Sequence, residues 1–71
     1  MEGDLLMYFN VHAFLDKDYS TIFSGTAVYI PRIGEEVVVG SCIYTVTNVR
    51  HLIREGRNLT PDVHLYLKSK I

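Results

Sequence analysis

Residues 30–49, IPRIGEEVVVGSCIYTVTNV, constrain the fold of this chain more than any other stretch. They spell a Pro/Gly corner, a short strand, a two-residue Gly-Ser turn and a second strand. Glycine at the first central position of such a loop suits a type II′ turn, whose twist matches that of the flanking strands. Val39 then faces Cys42 across the turn. We therefore predict a β-hairpin with strands over residues 35–39 and 42–49.

Side chains alternate between the two faces of this hairpin, which predicts one buried, dry face and one solvent-exposed face. The dry face comprises Val37, Val39, Cys42, Tyr44 and Val46. Its position predicts that Cys42 packs as a small hydrophobe and is not a nucleophile with His51 as its base. Val46 and Val49 are three residues apart and cannot share a face of a regular strand, so a bulge is expected near residues 47–48.

Three further strands are predicted over residues 5–15, 21–30 and 63–67, and the first and last of these segments alternate with the period of a strand. Gly25 predicts a bulge or sharp bend in the second of these segments. The polar run 16–20 contains two aspartates that can cap their own backbone, so the chain is expected to reverse there.

Five short strands joined by tight turns make this an all-β chain. We predict a small five-stranded antiparallel barrel of the SH3-like or OB-like kind, or a strongly bent sheet. Whether residues 51–55 continue the fourth strand or form one helical turn stays open.

Length and composition restrict what such a chain does. Its 71 residues form one predicted domain, residues 1–71, near the lower size limit for a self-sufficient core. Apolar residues make up 48% of the chain, more than a small core hides, which predicts a homo-oligomer. A net charge of −1 argues against a nucleic-acid binder. The sequence shows no disulfide pair, secretory signal or membrane-length apolar run, so a cytoplasmic protein without a membrane segment is expected.

Catalytic and metal-binding patterns are missing from the sequence. His12, His51 and His64 do not have the spacing of metal ligands, so no metal site is predicted. Glu35 and Glu36 point to opposite faces of one strand and are read as edge charges, not as a hydrolytic pair. No phosphate-binding loop or dinucleotide fingerprint is present. We therefore predict a protein that is not an enzyme and has no cofactor.

Basic and aromatic residues outside the hairpin could form a ligand site. Four basic residues lie within residues 50–57, where arginine could hold a phosphate or carboxylate. Tyrosine and histidine alternate on the outer side of the first and last strands and would converge if those strands are neighbours. The predicted ligand-binding residues are Tyr8, His12, Arg50, His51, Arg54, Arg57, His64 and Tyr66. A dimer interface and an ordinary semi-polar surface remain alternative interpretations.

Turn and core residues carry a resemblance over about the last forty residues. The pattern consists of PRIGEEV at 31–37, then Gly40, Tyr44, Val46, Val49 and His51, and VHLYL at 63–67. It resembles small uncharacterised β-barrel proteins of bacteria and their phages. Phage proteins of this size include sponges, small oligomers that sequester nucleotide-derived immune signals between subunits. By analogy the resemblance implies an anti-defence role, although no sponge residue maps onto this chain.

The leading functional prediction is a non-enzymatic, homo-oligomeric protein that sequesters a small anionic, nucleotide-like ligand. Arginine would supply the charge, and tyrosine or histidine the stacking surface. The alternative is a protein-protein interaction module, for assembly or inhibition, that grips its partner through an exposed strand edge or an apolar patch.

Overall fold

A computed structural model describes residues 8–53 and 60–70. These ranges contain five strands: β1 (Phe9–Leu15), β2 (Thr21–Ala27), β3 (Glu36–Val39), β4 (Cys42–Leu52) and β5 (Asp62–Ser69). The strands form one sheet in the order β2-β1-β5-β4-β3, which curls into a half-barrel. The predicted all-β, barrel-like fold is confirmed. The described part of the chain has no helix of the length and hydropathy needed to cross a membrane.

One strand pairing differs from the expected antiparallel sheet. β1 and β5 run parallel, with Val11 opposite Val63 and Ala13 opposite Leu65, whereas the other three pairings are antiparallel. Alternation specifies which side chains share a face, but it is the same in both kinds of pairing. The sequence pattern therefore predicted the faces of β1 and β5 without indicating their relative direction.

The central hairpin matches its prediction. Val39 lies opposite Cys42, and Gly40 has a φ of 64°. Among the described residues, Tyr19 is the only non-glycine residue with positive φ, so Ser41 has the negative φ of the second position in a type II′ turn. This turn sets the register of β3 against β4.

The corner before β3 is fixed by hydrogen bonds. Gly34, with a φ of 95°, donates its N–H to the Val46 carbonyl at 2.9 Å. The Glu35 carboxylate accepts the Arg32 N–H at 2.7 Å and the Tyr29 hydroxyl at 2.9 Å. These two bonds, the backbone one first, lower the pKa of Glu35, and the bond to Glu35 raises the pKa of Tyr29. Glu35 thus ties the corner together and does more than the edge charge that was predicted.

The core lies on the concave, inner face of the half-barrel. Its buried residues are Val11, Ala13, Val46, Val63, Leu65 and Leu67. The bulge in β4 is confirmed, because Val46 lies opposite Leu67 and Asn48 opposite Tyr66, which leaves Thr47 as the extra residue. The Thr47 hydroxyl donates to the Tyr66 carbonyl at 3.0 Å. The bulge returns Val49 to the inner face, where it packs against the core.

The prediction that Cys42 packs in the core was wrong, and the bulge that was predicted as one possibility at Gly25 is not there. Cys42 is exposed, because it lies beside the hairpin turn and β5 covers β4 only from Tyr44 onward. Gly25 forms no bulge and pairs regularly with Val11, while the irregularity in β2 lies at Ile22. A Cβ atom on Gly25 would stand 2.8 Å from Cζ of Phe23, so this glycine leaves room for an aromatic ring.

The observed strand boundaries differ from the predicted ones by a few residues. β2 ends at Ala27, three residues before the predicted end, and β5 extends beyond residues 63–67 at both ends. β4 continues to Leu52, so residues 51–52 belong to a strand. Of the predicted first strand, residues 5–7 lie outside the described residues.

Candidate functional site

The convex, outer face of the sheet brings together side chains from four strands. In one row across the sheet, His12 lies opposite Ser24 and His64, and His64 lies opposite Arg50. The His12 and His64 rings meet edge to face at 5.5 Å between centroids, and His12 Nδ1 lies 3.2 Å from the Ser24 hydroxyl. The first and last strands are thus neighbours, as the ligand-site prediction required.

Tyr66 is the centre of an aromatic cluster on the next row. Its ring stacks with the Phe14 ring, with centroids 5.8 Å apart and an interplanar angle of 28°, and makes a T-shaped contact with the Tyr19 ring at 5.8 Å and 80°. The Arg50 guanidinium carbon lies 5.6 Å from the centroid of the same ring, the geometry of a cation–π contact. Neighbours on several sides hold the Tyr66 ring in place, and the ring in turn positions Arg50.

A cavity of about 430 Å³, here called the Tyr66 pocket, lies beside this cluster. It is lined by Asp16, Tyr19, Thr47, Asn48, Arg50 and Tyr66. Within the described ranges, the Asp16 carboxylate and the Arg50 guanidinium each make no hydrogen bond or ion pair, either with one another or with a third group. A cation, an anion and two phenol rings therefore face one small space.

The turn between β1 and β2 holds Tyr19 at the rim of this pocket. The Asp18 carboxylate accepts the Ser20 N–H at 3.0 Å and the Ser20 hydroxyl at 2.8 Å, and the pKa of Asp18 is lowered chiefly by the backbone bond. Tyr19 donates its N–H to the Leu15 carbonyl at 2.9 Å and has a φ of 61°. Side chains rarely adopt this left-handed conformation, and Tyr19 adopts it with 69% of its surface exposed.

The structure gathers half of the predicted ligand-binding residues. His12, Arg50, His64 and Tyr66 share the outer face. His51 lies opposite Val63, a core residue, and so points to the other side of the sheet.

The remaining predicted residues are not brought to the pocket. Tyr8 is exposed just before β1, about 20 Å along the strand direction from Phe14 beside Tyr66. Arg54 and Arg57 lie outside the described residues.

Sequence reasoning missed four residues of the Tyr66 pocket. The sequence places Asp16 and Tyr19 in a polar turn and does not indicate that they face Tyr66, because the position of the Tyr19 ring depends on its positive φ. Thr47 and Asn48 reach the pocket through the bulge in β4. The phase slip at these positions was the one sequence signal that pointed to them.

A second cavity, the inner cleft, occupies the concave face. It has a volume of about 460 Å³ and reaches from edge strand β2 to edge strand β3. Its lining is apolar and includes Val11, Ala13, Phe23, Val37, Val39 and Leu65. Phe23 on β2 is 40% exposed, so part of this apolar surface faces solvent.

Among the described residues, no group of three or more histidine, cysteine, aspartate or glutamate side chains could hold a metal ion. Comparison with protein-family models, with curated proteins and with solved structures finds no match to this chain.

Proposed function

We propose that this protein is a non-enzymatic binding protein that sequesters a small, anionic, nucleotide-like ligand in the Tyr66 pocket. The observation that carries the proposal is the Arg50 guanidinium, which is held over the Tyr66 ring with no protein acceptor among the described residues. The planar fork of arginine matches phosphate and carboxylate oxygens in pairs. A guanidinium already held in place loses less conformational entropy on binding than a free one.

The rest of the pocket suits the ring and the polar groups of such a ligand. Tyr19 is mostly exposed and offers a flat surface for a base, since aromatic side chains stack on every nucleobase. Thr47 and Asn48 supply hydroxyl and amide groups at the same site. The volume of about 430 Å³ falls in the range of small-molecule sites.

The proposed setting is the bacterial cytoplasm, where a homo-oligomer of this chain would hold the ligand without turning it over. The resemblance to small phage and bacterial β-barrels supports this setting by analogy, and a sponge acting against a nucleotide signal is its most specific form.

Titration calorimetry and thermal unfolding with adenosine monophosphate, cyclic nucleotides and ADP-ribose test the proposal. A binder raises its unfolding midpoint by mass action. Arg50→Gln should weaken binding by roughly 10-fold or more, because charge-assisted hydrogen bonds are lost. Arg32→Gln removes the same charge at the β3 corner and should leave affinity unchanged. Absence of binding by the wild-type chain at millimolar ligand, or equal losses in both variants, would contradict the proposal.

A second candidate function is self-assembly through the inner cleft. The cleft is apolar, part of it faces solvent, and both edge strands of the sheet border it. A second copy of this chain is the occupant that we propose, because the same edges and the same cleft are then available on both partners. Light scattering on the purified chain distinguishes a dimer from a monomer. If the chain is a monomer and captures a different protein in a pull-down, the alternative of a protein-protein interaction module would be favoured.

A further inference from the structure

Asp16 is the residue of the Tyr66 pocket that a general anion site does not explain. Its backbone N–H donates to the Leu67 carbonyl at 2.8 Å, which fixes the residue beside the ends of the parallel strands. Its side chain is half-buried and lines the same cavity as Arg50. No ion pair joins the two, although they have opposite charges.

The Asp16 carboxylate, which has no hydrogen-bond or ion-pair partner among residues 8–53 and 60–70, restricts which anions suit the pocket. A carboxylate is an acceptor only and is best satisfied by ligand hydroxyl or N–H donors. It also repels negative charge, and this repulsion grows with the number of phosphates on the ligand. The pocket is therefore matched to a ligand with one anionic group for Arg50 and a separate set of donors for Asp16.

We infer that the ligand is a nucleoside monophosphate with free ribose hydroxyl groups. The phosphate would pair with Arg50, the ribose hydroxyls would donate to Asp16, and the base would stack on Tyr19. An acidic side chain that reads ribose hydroxyls is a recurrent solution in nucleotide sites. This inference rests on the proposed function, and it adds the class of nucleotide and the role of the sugar.

Titration calorimetry on the full chain with three ligands tests the inference. The ligands are adenosine 5′-monophosphate, its 2′,3′-dideoxy analogue and adenosine triphosphate. We expect the monophosphate to bind roughly 10-fold more tightly than the dideoxy analogue, because loss of the hydroxyls leaves Asp16 without donors. The triphosphate should also bind more weakly than the monophosphate.

Asp16→Asn is the informative variant, because it keeps the size and the backbone hydrogen bond of residue 16 while removing its charge. This variant should reduce two affinity ratios: that of the monophosphate over its dideoxy analogue, and that of the monophosphate over the triphosphate. Glu36→Gln on β3 is the matched control and should keep both preferences.

Equal affinity for the ribose and dideoxy ligands would overturn the inference while leaving the proposed function intact. Unchanged preferences in Asp16→Asn would also overturn it. Failure of all three ligands to bind would instead count against the proposed function itself.

Discussion

At the scale of single residues, Tyr19 has an unfavourable backbone conformation, and its ring contacts Tyr66 at the candidate site. Its φ of 61° belongs to a region that glycine and asparagine adopt far more readily than tyrosine. Strain of this kind persists when the surrounding structure imposes it, and it is concentrated at functional sites. From this position the Tyr19 ring contacts Tyr66. The strained backbone of the turn therefore lowers stability but places the ring at the candidate site.

Tyr19→Asn should therefore separate stability from binding. We expect the free energy of unfolding to rise by about 1 kcal/mol or to stay unchanged, because relief of the left-handed strain offsets the lost ring contact. Nucleotide affinity should fall. Denaturant unfolding and calorimetry measure the two effects, and a variant that is clearly less stable would show that the turn tolerates Tyr19 without strain.

Glu35 gives a prediction for the pH dependence of stability. Its pKa is lowered from the ordinary value of 4.5, so its contribution to stability is present above 4.5 and is lost as the pH falls through the folded-state pKa. Glu35→Gln should lower the thermal midpoint at neutral pH and show a flatter acid limb.

Thermal melts from neutral to acidic pH measure this difference. The wild-type and Glu35→Gln curves should converge at low pH, where the wild-type carboxyl is protonated as well. Glu36→Gln serves as the control, because the ion pair that Glu36 makes with Lys70 is exposed to solvent. Parallel curves for wild type and Glu35→Gln at every pH would contradict the assignment.

At the scale of strands, the sequence predicted which side of the sheet each side chain occupies better than it predicted how the strands pair with one another. Alternation assigned Val63, Leu65 and Leu67 to the inner side, and the slip after Val46 located the bulge, because each is a local property of one strand. The parallel pairing of β1 with β5 depends on contacts between distant segments. For the same reason the exposure of Cys42 was missed, since it depends on where β5 stops.

The packing of Gly25 against Phe23 is an element-level prediction. Alanine in place of a strand glycine stabilises a protein where space permits, but here its Cβ meets the Phe23 ring at 2.8 Å. Gly25→Ala should thus be more favourable in a Phe23→Leu background than in the wild type, with a coupling of about 1 kcal/mol. A double-mutant cycle in urea measures it, and additive effects would show that the ring moves aside freely.

At the scale of the whole molecule, the half-barrel leaves its inner cleft and two edge strands uncovered in the described chain. Phe23→Lys places a charge in this cleft and should convert an assembled protein to a monomer in light scattering, since burial of an unpaired charge is costly. Ile33→Lys, at the exposed corner, is the matched control and should leave the assembly unchanged. Circular dichroism confirms that both variants fold. Persistence of the same oligomer in Phe23→Lys would exclude the cleft as the interface.

The pairing of β1 with β5 also affects the stage of synthesis at which the complete sheet can fold. In the sheet, the β1–β2 and β3–β4 hairpins are not hydrogen-bonded to each other, because β5 lies between β1 and β4. Two-stranded hairpins are marginal in water, so neither half has an independent core before β5 arrives. We therefore expect the sheet to assemble on the ribosome only after β5 has emerged, and we expect folding to be slow because β1 and β5 are far apart in sequence.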